Sequence, residues 1–128
     1  MVLENLSETK KSEKLEVEEY FNGTGFERWN RIYSESNKVN NVQKNIRKGH
    51  QKTVDDVLRW IKESQKLNNI SFCDVGCGVG SLTIPLASLD INSILASDIS
   101  DSMIKETKKR AELAKINLKK INFLVSDL

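Results

Sequence analysis

Polar residues dominate the first dozen positions, and too few apolar side chains lie among them to offset the entropy of ordering, so residues 1–12 are expected as a disordered arm. From Glu13 the chain turns amphipathic. Leu15, Val17, Tyr20 and Phe21 precede Asn22-Gly23-Thr24-Gly25, and Phe26, Trp29, Ile32 and Tyr33 then recur at spacings of three and four. That pattern predicts two short helices about a glycine hinge. A third helix is expected from about Val39 to Lys66, bent at Gly49, with Val54, Leu58 and Ile61 on one face and Asp55, Asp56, Arg59, Lys62 and Glu63 on the others. Residues 13–66 together read as a helical N-terminal arm.

After Asn68-Asn69 the periodicity changes. Ile70 to Val75 is a short apolar run ending in Gly76, Gly78 and Gly80, and a helical stretch from Leu82 to Leu89 follows. Ile94-Leu95-Ala96 ends in Ser97-Asp98, after which Ser100 or Asp101 can cap a helix carrying Met103, Ile104, Ala111 and Ala114. A last apolar run, Ile121 to Val125, ends in Ser126-Asp127. Strand, helix, strand, helix, strand is the grammar of an α/β parallel sheet.

Composition narrows the class. With 38% hydrophobic and 30% charged residues and a net charge of +2, the 128 residues suit a single globular domain at most. No run approaches the ~20 apolar residues that span a bilayer, and the N-terminus has neither a signal-peptide core nor a transit-peptide composition, so a cytoplasmic place is expected. Twenty basic residues against eighteen acidic exclude a general nucleic-acid binder. The charge is uneven: residues 21–60 hold eight Lys and Arg against four acids, which suits either an anionic partner or a solvated helix. Cys73 and Cys77 sit where a strand enters a tight turn, a poor place for a disulfide, and are expected as free thiols. Two Cys and the distant His50 do not make a four-ligand metal site.

In a parallel α/β sheet, ligands bind beyond the carboxyl ends of the strands, and Asp74, Asp98 and Asp127 all sit at or beside such ends. The loop Asp74-Val75-Gly76-Cys77-Gly78-Val79-Gly80 is built for close approach of backbone to a ligand. It is not a dinucleotide fingerprint, because the sixth position from Gly76 is Ser81 and Asp74 would face a pyrophosphate; no Gly-Lys-Ser/Thr follows, which excludes a P-loop. A phosphate-free cofactor with a cationic amino group fits better.

Phe72-Cys73-Asp74-Val75-Gly76-Cys77-Gly78-Val79-Gly80-Ser81, then Asp98, then Ser126-Asp127-Leu128, resemble the first three motifs of the class I S-adenosylmethionine-dependent methyltransferases. The resemblance implies a Rossmann-like sheet, S-adenosyl-L-methionine as cofactor, and residues 67–128 as the first half of its binding domain, with the first three strands only. By that resemblance Asp74, Gly76, Cys77, Gly78 and Gly80 hold the methionine end, Asp98 and Ile99 the ribose, and Met103 and Asp127 the adenine. Met103 is equally readable as core.

The arm is more specific. Tyr20 to Tyr33, then Val42 to His50, together with Gly80-Ser81-Leu82, Pro85-Leu86-Ala87 and Ser97-Asp98-Ile99-Ser100, resemble the magnesium-protoporphyrin IX O-methyltransferases of chlorophyll biosynthesis, from about residue 17 onward. The resemblance implies methyl transfer to a propionate carboxylate of magnesium-protoporphyrin IX, magnesium chelatase as a partner, and peripheral association with photosynthetic membranes. It gives Tyr33 the task of positioning the substrate carboxylate, and the arm the task of a lid. Trp29 and Phe26 read either as faces for a flat macrocycle or as the buried stripe of a short helix. Arg28, Arg31, Arg47 and Lys48 read as partners of the second propionate or as solvated surface, and His50 as polar packing or a magnesium ligand. Two further functions stay open: methylation of another small molecule such as a quinone, and a non-catalytic cofactor-binding or scaffold module. The strand and catalytic histidine that the family places later have no counterpart here, so the chain is expected to be an incomplete enzyme whose first strand keeps an open apolar edge.

Overall fold

The computed structural model describes residues 2–64 and 66–127, with side chains from Asn5 onward. Met1, Gln65 and Leu128, which belong respectively to the expected arm, to the end of the long helix and to the last motif, lie outside the described residues. Three helices come first: α1 (Val2–Asn22), α2 (Thr24–Ile32) and α3 (Asn41–Glu63). Then β1 (Ser71–Val75), α4 (Thr83–Ala87), β2 (Ser93–Asp98), α5 (Asp101–Leu113) and β3 (Ile121–Val125) alternate. The three strands are parallel in the order β1-β2-β3, with Phe72 opposite Ile94 and Ile94 opposite Ile121.

That register puts Phe72, Ile94, Ala96, Ile121 and Phe123 on one face. They meet Val54 and Leu58 of α3, Leu86 and Ala87 of α4, and Ile104 and Ala111 of α5 in a single core. On the opposite face Cys73 is exposed, Val75 is 55% exposed and Leu124 40%, and among the described residues β1 pairs with β2 alone.

Several element ends differ from the sequence pattern for local reasons. The helix starts at Val2, where a disordered arm was expected over residues 1–12. Leu, Glu and Lys are strong helix formers, yet residues 5–17 are all exposed, so propensity rather than packing writes this segment as helix. The hinge is one residue, Gly23, whose N–H donates to the carbonyls of Glu19 and Tyr20. α3 begins at a reciprocal cap: Gln43 N donates to Asn40 Oδ1 (2.8 Å) and Asn40 N to Gln43 Oε1 (3.2 Å). It runs through Gly49 without interruption. α4 is shorter than the expected Leu82–Leu89, with Pro85 in its first turn where no N–H is needed.

The end of α2 is tied to α3 by Arg47 and to the sheet domain by Arg110. Arg47 of α3 donates from Nε to Ile32 O (2.5 Å) and from Nη2 to Arg31 O and Ser36 O (3.0 Å each). Arg110 of α5, held by Glu106 at 3.0 Å, donates to Tyr33 O (3.1 Å) and Asn30 Oδ1 (2.5 Å). Two guanidinium groups thus satisfy backbone acceptors that a helix end leaves orphaned, and Ile32 between them is fully buried.

Candidate functional site

Beyond the carboxyl ends of the strands lies a cleft of about 500 Å³. Its floor is the turn after β1 and the ends of β2 and β3, and its wall is the arm. Seven of the residues singled out in the sequence line it: Gly76, Gly78, Asp98, Ile99, Met103, Asp127 and Tyr33. Asp74, Cys77 and Gly80 do not. Phe21 and Trp29 of the arm, with Val75, Val79 and Ser126, complete the lining.

The glycine loop turns through three left-handed positions, with φ of +71° at Gly76, +55° at Gly78 and +85° at Gly80. These glycines divide by environment. A Cβ at Gly76 or Gly78 would meet nothing within 4 Å, so the space in front of them is the cleft itself. A Cβ at Gly80 would stand 2.7 Å from Thr107 Cγ2. Gly80 therefore permits close packing onto α5, and contact with a ligand is not its task. Thr107, fully buried, donates to Gly78 O (2.7 Å) and so clamps the loop from behind.

Asp98 closes the loop from the front. Its Oδ2 accepts from Gly78 N and its Oδ1 from Ser100 N, both at 2.9 Å. Two further lone-pair positions of the carboxylate remain for a ligand that offers paired hydroxyls. Asp74 lies behind the loop, where its Oδ2 accepts from Thr83 Oγ1 (2.5 Å). Burial raises its pKa above the usual carboxylate value, the Asp98 charge adds to the rise, and the Thr83 hydrogen bond opposes it. A cation close to Asp74 would oppose that rise by Coulomb attraction and favour the ionised form.

Cys77 is 8% exposed, its N–H donates to Ser97 O (2.9 Å), and its thiol points back towards Gly78 O. Burial, reinforced by the charges of Asp74 and Asp98, pushes that thiol up to about 12, so it stays protonated and inert at neutral pH. Met103 serves both readings: it lines the cleft, and it is only 3% exposed in the first turn of α5, where its N–H donates to Ser100 Oγ (3.2 Å). Asp127 sits at the open rim, paired with Lys14 of α1 (2.7 Å), whose hydrogen bond lowers its pKa.

Tyr33 stands at the arm side in a column of rings. It stacks on Trp29 at 5.6 Å and on His50 at 4.1 Å, with interplanar angles of 24° and 26°. Burial raises the Tyr33 pKa, so its hydroxyl remains a donor at physiological pH. Trp29 is thus part of the cleft wall and of the helix's own packing at once. His50 Nε2 is buried without a hydrogen-bond partner among the described residues, and burial lowers its pKa below 6.5. A lowered histidine pKa means that the unfolded chain takes up the proton first. Stability is therefore expected to be full above pH ~6.5 and to decline as the pH falls through that value, until the folded-state pKa is passed. Melting temperatures at pH 7.5 and 5 should show this loss, and His50→Gln should flatten it.

The sequence reading offered Ser100 as a helix cap, and it is the N-cap of α5; what that reading missed is the support behind the lining from Thr83, Thr107 and Asn22. No periodicity marks these three, because each acts on a residue outside its own helix.

Strand order, the glycine turn and carboxylates at consecutive strand ends define the first half of a class I methyltransferase fold. Residues 72–128 match the methyltransferase domain family. Over 114 residues the chain is 49% identical to "Magnesium protoporphyrin IX methyltransferase, chloroplastic" of Arabidopsis thaliana, covering 88% of this chain and 36% of that protein. It is 45% identical over 116 residues to the magnesium-protoporphyrin O-methyltransferase of Synechocystis, covering 91% of this chain and 50% of that one. The crystal structure of magnesium protoporphyrin IX methyltransferase from Synechocystis with bound SAM superposes with a TM-score of 0.82, across 89% of this chain and 54% of that one. The chain thus spans about a third to a half of the length of these relatives, and the likeness includes the helical arm as well as the sheet.

Proposed function

We propose that the protein is the N-terminal portion of an S-adenosylmethionine-dependent enzyme that methylates a propionate carboxylate of magnesium-protoporphyrin IX. The observation that carries this reading is the arm. Identity of 45–49% runs through 88–91% of the chain, whereas the methyltransferase domain family model matches residues 72–128.

The cleft fits the cofactor in two respects. Gly76 and Gly78 leave free the space that a Cβ would fill, and Asp98 keeps acceptor positions for a ribose diol. Asp127 and Met103, both in the cleft lining, take the adenine in this reading. When bound, the cofactor supplies a sulfonium methyl, which passes to a carboxylate oxygen of the acceptor as the carbon–sulfur bond breaks, leaving a methyl ester and S-adenosylhomocysteine. A propionate is already ionised at pH 7, so the protein's part is alignment and exclusion of water, with no general base. In this reading Tyr33, kept protonated and in the cleft lining, donates to one oxygen of that carboxylate and holds the other in line. The aromatic arm over the cleft serves as the lid.

Association with a magnesium chelatase that delivers the porphyrin, and a place at the surface of photosynthetic membranes, follow from the same reading. No helix among the described residues is long and apolar enough to cross a membrane. The test is mass spectrometry of magnesium-protoporphyrin IX after incubation with S-adenosylmethionine, using this chain and a chain of its relatives' full length. Methyl ester from the longer protein supports the reading. Ester from neither, with a quinone methylated instead, would replace it.

A further inference from the structure

At the junction of α1 and α2, one side chain of the arm reaches the machinery around Asp98. Asn22 Oδ1 accepts from Ser100 Oγ (2.7 Å) and from the backbone N–H of Ser102 (3.1 Å). The Asn22 carbonyl accepts from Ser102 Oγ (3.2 Å), and the neighbouring Phe21 carbonyl from Ser100 Oγ (2.9 Å). Ser100 is the N-cap of α5 and is fully buried; its hydroxyl accepts from Met103 N while its own N–H donates to Asp98 Oδ1. The Ser102 N–H is one of the first-turn donors that a helix cannot satisfy internally. Its acceptor comes from a residue 80 positions earlier in the chain. The arm thus supplies part of the N-terminal cap of α5, and the residue it grips orients Asp98.

We propose that Asn22 is a positioning residue: by capping α5 at Ser100 and Ser102 it fixes the Ser100 N–H against Asp98, so that docking of the arm and binding of a vicinal diol at Asp98 reinforce each other. The inference rests on the cofactor reading above and goes beyond it, because it makes the arm part of the ribose site. Two features of the geometry argue for coupling rather than mere attachment. Phe21, next to Asn22, is itself a wall of the cleft, so the arm cannot leave without opening the cleft. Asp98 is held by only two N–H donors, from Gly78 and Ser100, so loosening the Ser100 side frees half of its support. By linkage, whatever arm docking contributes to diol binding, diol binding returns to arm docking.

The test is a cycle of protein and ligand, read by calorimetric titration of wild type and Asn22→Ala with S-adenosylhomocysteine and with its 2′,3′-dideoxy counterpart. If Asn22 acts through Asp98, the variant binds S-adenosylhomocysteine about fivefold more weakly, as expected for one or two lost hydrogen bonds, while its affinity for the dideoxy compound changes less than twofold. In wild type, S-adenosylhomocysteine also slows proteolysis between α1 and α2 more than the dideoxy compound does. Equal losses with both ligands, or no loss with either, would overturn the proposal. Failure of wild type to bind S-adenosylhomocysteine at all would overturn the cofactor reading instead. Ser102→Ala, which removes only the contact to the Asn22 carbonyl, provides a milder second variant and should show the same ligand selectivity to a smaller degree.

Discussion

Asp98→Ala is expected to weaken binding of S-adenosylhomocysteine by at least about 100-fold. Two contributions add. The first is direct: a carboxylate that accepts from a pair of hydroxyls makes charge-assisted hydrogen bonds, each worth about 1.5–3 kcal/mol. The second is structural. Asp98 Oδ1 and Oδ2 accept from Ser100 N and Gly78 N, and alanine leaves both amides without an acceptor, one at the cap of α5 and one in the glycine turn. Unfolding free energy should therefore fall by about 2 kcal/mol even without ligand. Asp98→Asn separates the two effects, because its single carbonyl oxygen can keep one amide partner. Denaturant melts should place Asn between wild type and Ala, while titration should group it with Ala. A variant Asp98→Ala that bound S-adenosylhomocysteine as tightly as wild type would remove Asp98 from the ribose site.

The substitutions that matter most in that argument are only partly visible in the sequence. The strands and the turn between Val75 and Ser81 were legible because short apolar runs ending in glycine have few other solutions, and their three-strand parallel order follows from the alternation with helices. Asp98 and Asp127 were legible because the end of a parallel strand is where a ligand sits. What the pattern could not give is which way a side chain faces inside the turn. Asp74 and Val75 are adjacent, so strand geometry sends them to opposite faces: Val75 lines the cleft, and Asp74 turns to Thr83. Cys77 likewise points inward although both of its glycine neighbours border the cleft. The supporting contacts were illegible for a different reason. Thr107 acts on Gly78 across 29 residues, and a threonine does not stand out on a helix of mixed polarity; Ser100 was legible as a cap, but its partner Asn22 lies 78 residues away. The start of α1 shows the opposite limit, since its residues 5–17 form a helix whose side chains are all exposed, and a hydrophobic pattern says little about such a segment.

The division among the three loop glycines leads to the second large effect. Gly80→Ala is expected to destabilise the fold by about 3–4 kcal/mol, from about 1–2 kcal/mol for a non-glycine residue in the left-handed region and the rest from overpacking. The new methyl would lie 2.7 Å from Thr107 Cγ2 and 3.2 Å from both Thr107 Oγ1 and Ile84 Cδ1. Thr107 has no room to retreat, being fully buried and tied to Gly78 O at 2.7 Å. For a protein of this size the melting temperature should drop by roughly 10 °C. Thr107→Ser in the same chain removes the clashing Cγ2 and keeps the hydroxyl, so the double variant should recover about half of the loss, a non-additivity that identifies the contact. Gly78→Ala behaves in the reverse manner. At φ +55° with nothing within 4 Å, it pays only the backbone strain, about 1 kcal/mol, yet its methyl projects into the cleft and should abolish binding of S-adenosylhomocysteine. Melts and titrations of these two variants would therefore rank in opposite orders. Equal ranking in both assays would mean that the loop meets its ligand along its whole length, with Gly80 at the contact and not behind it.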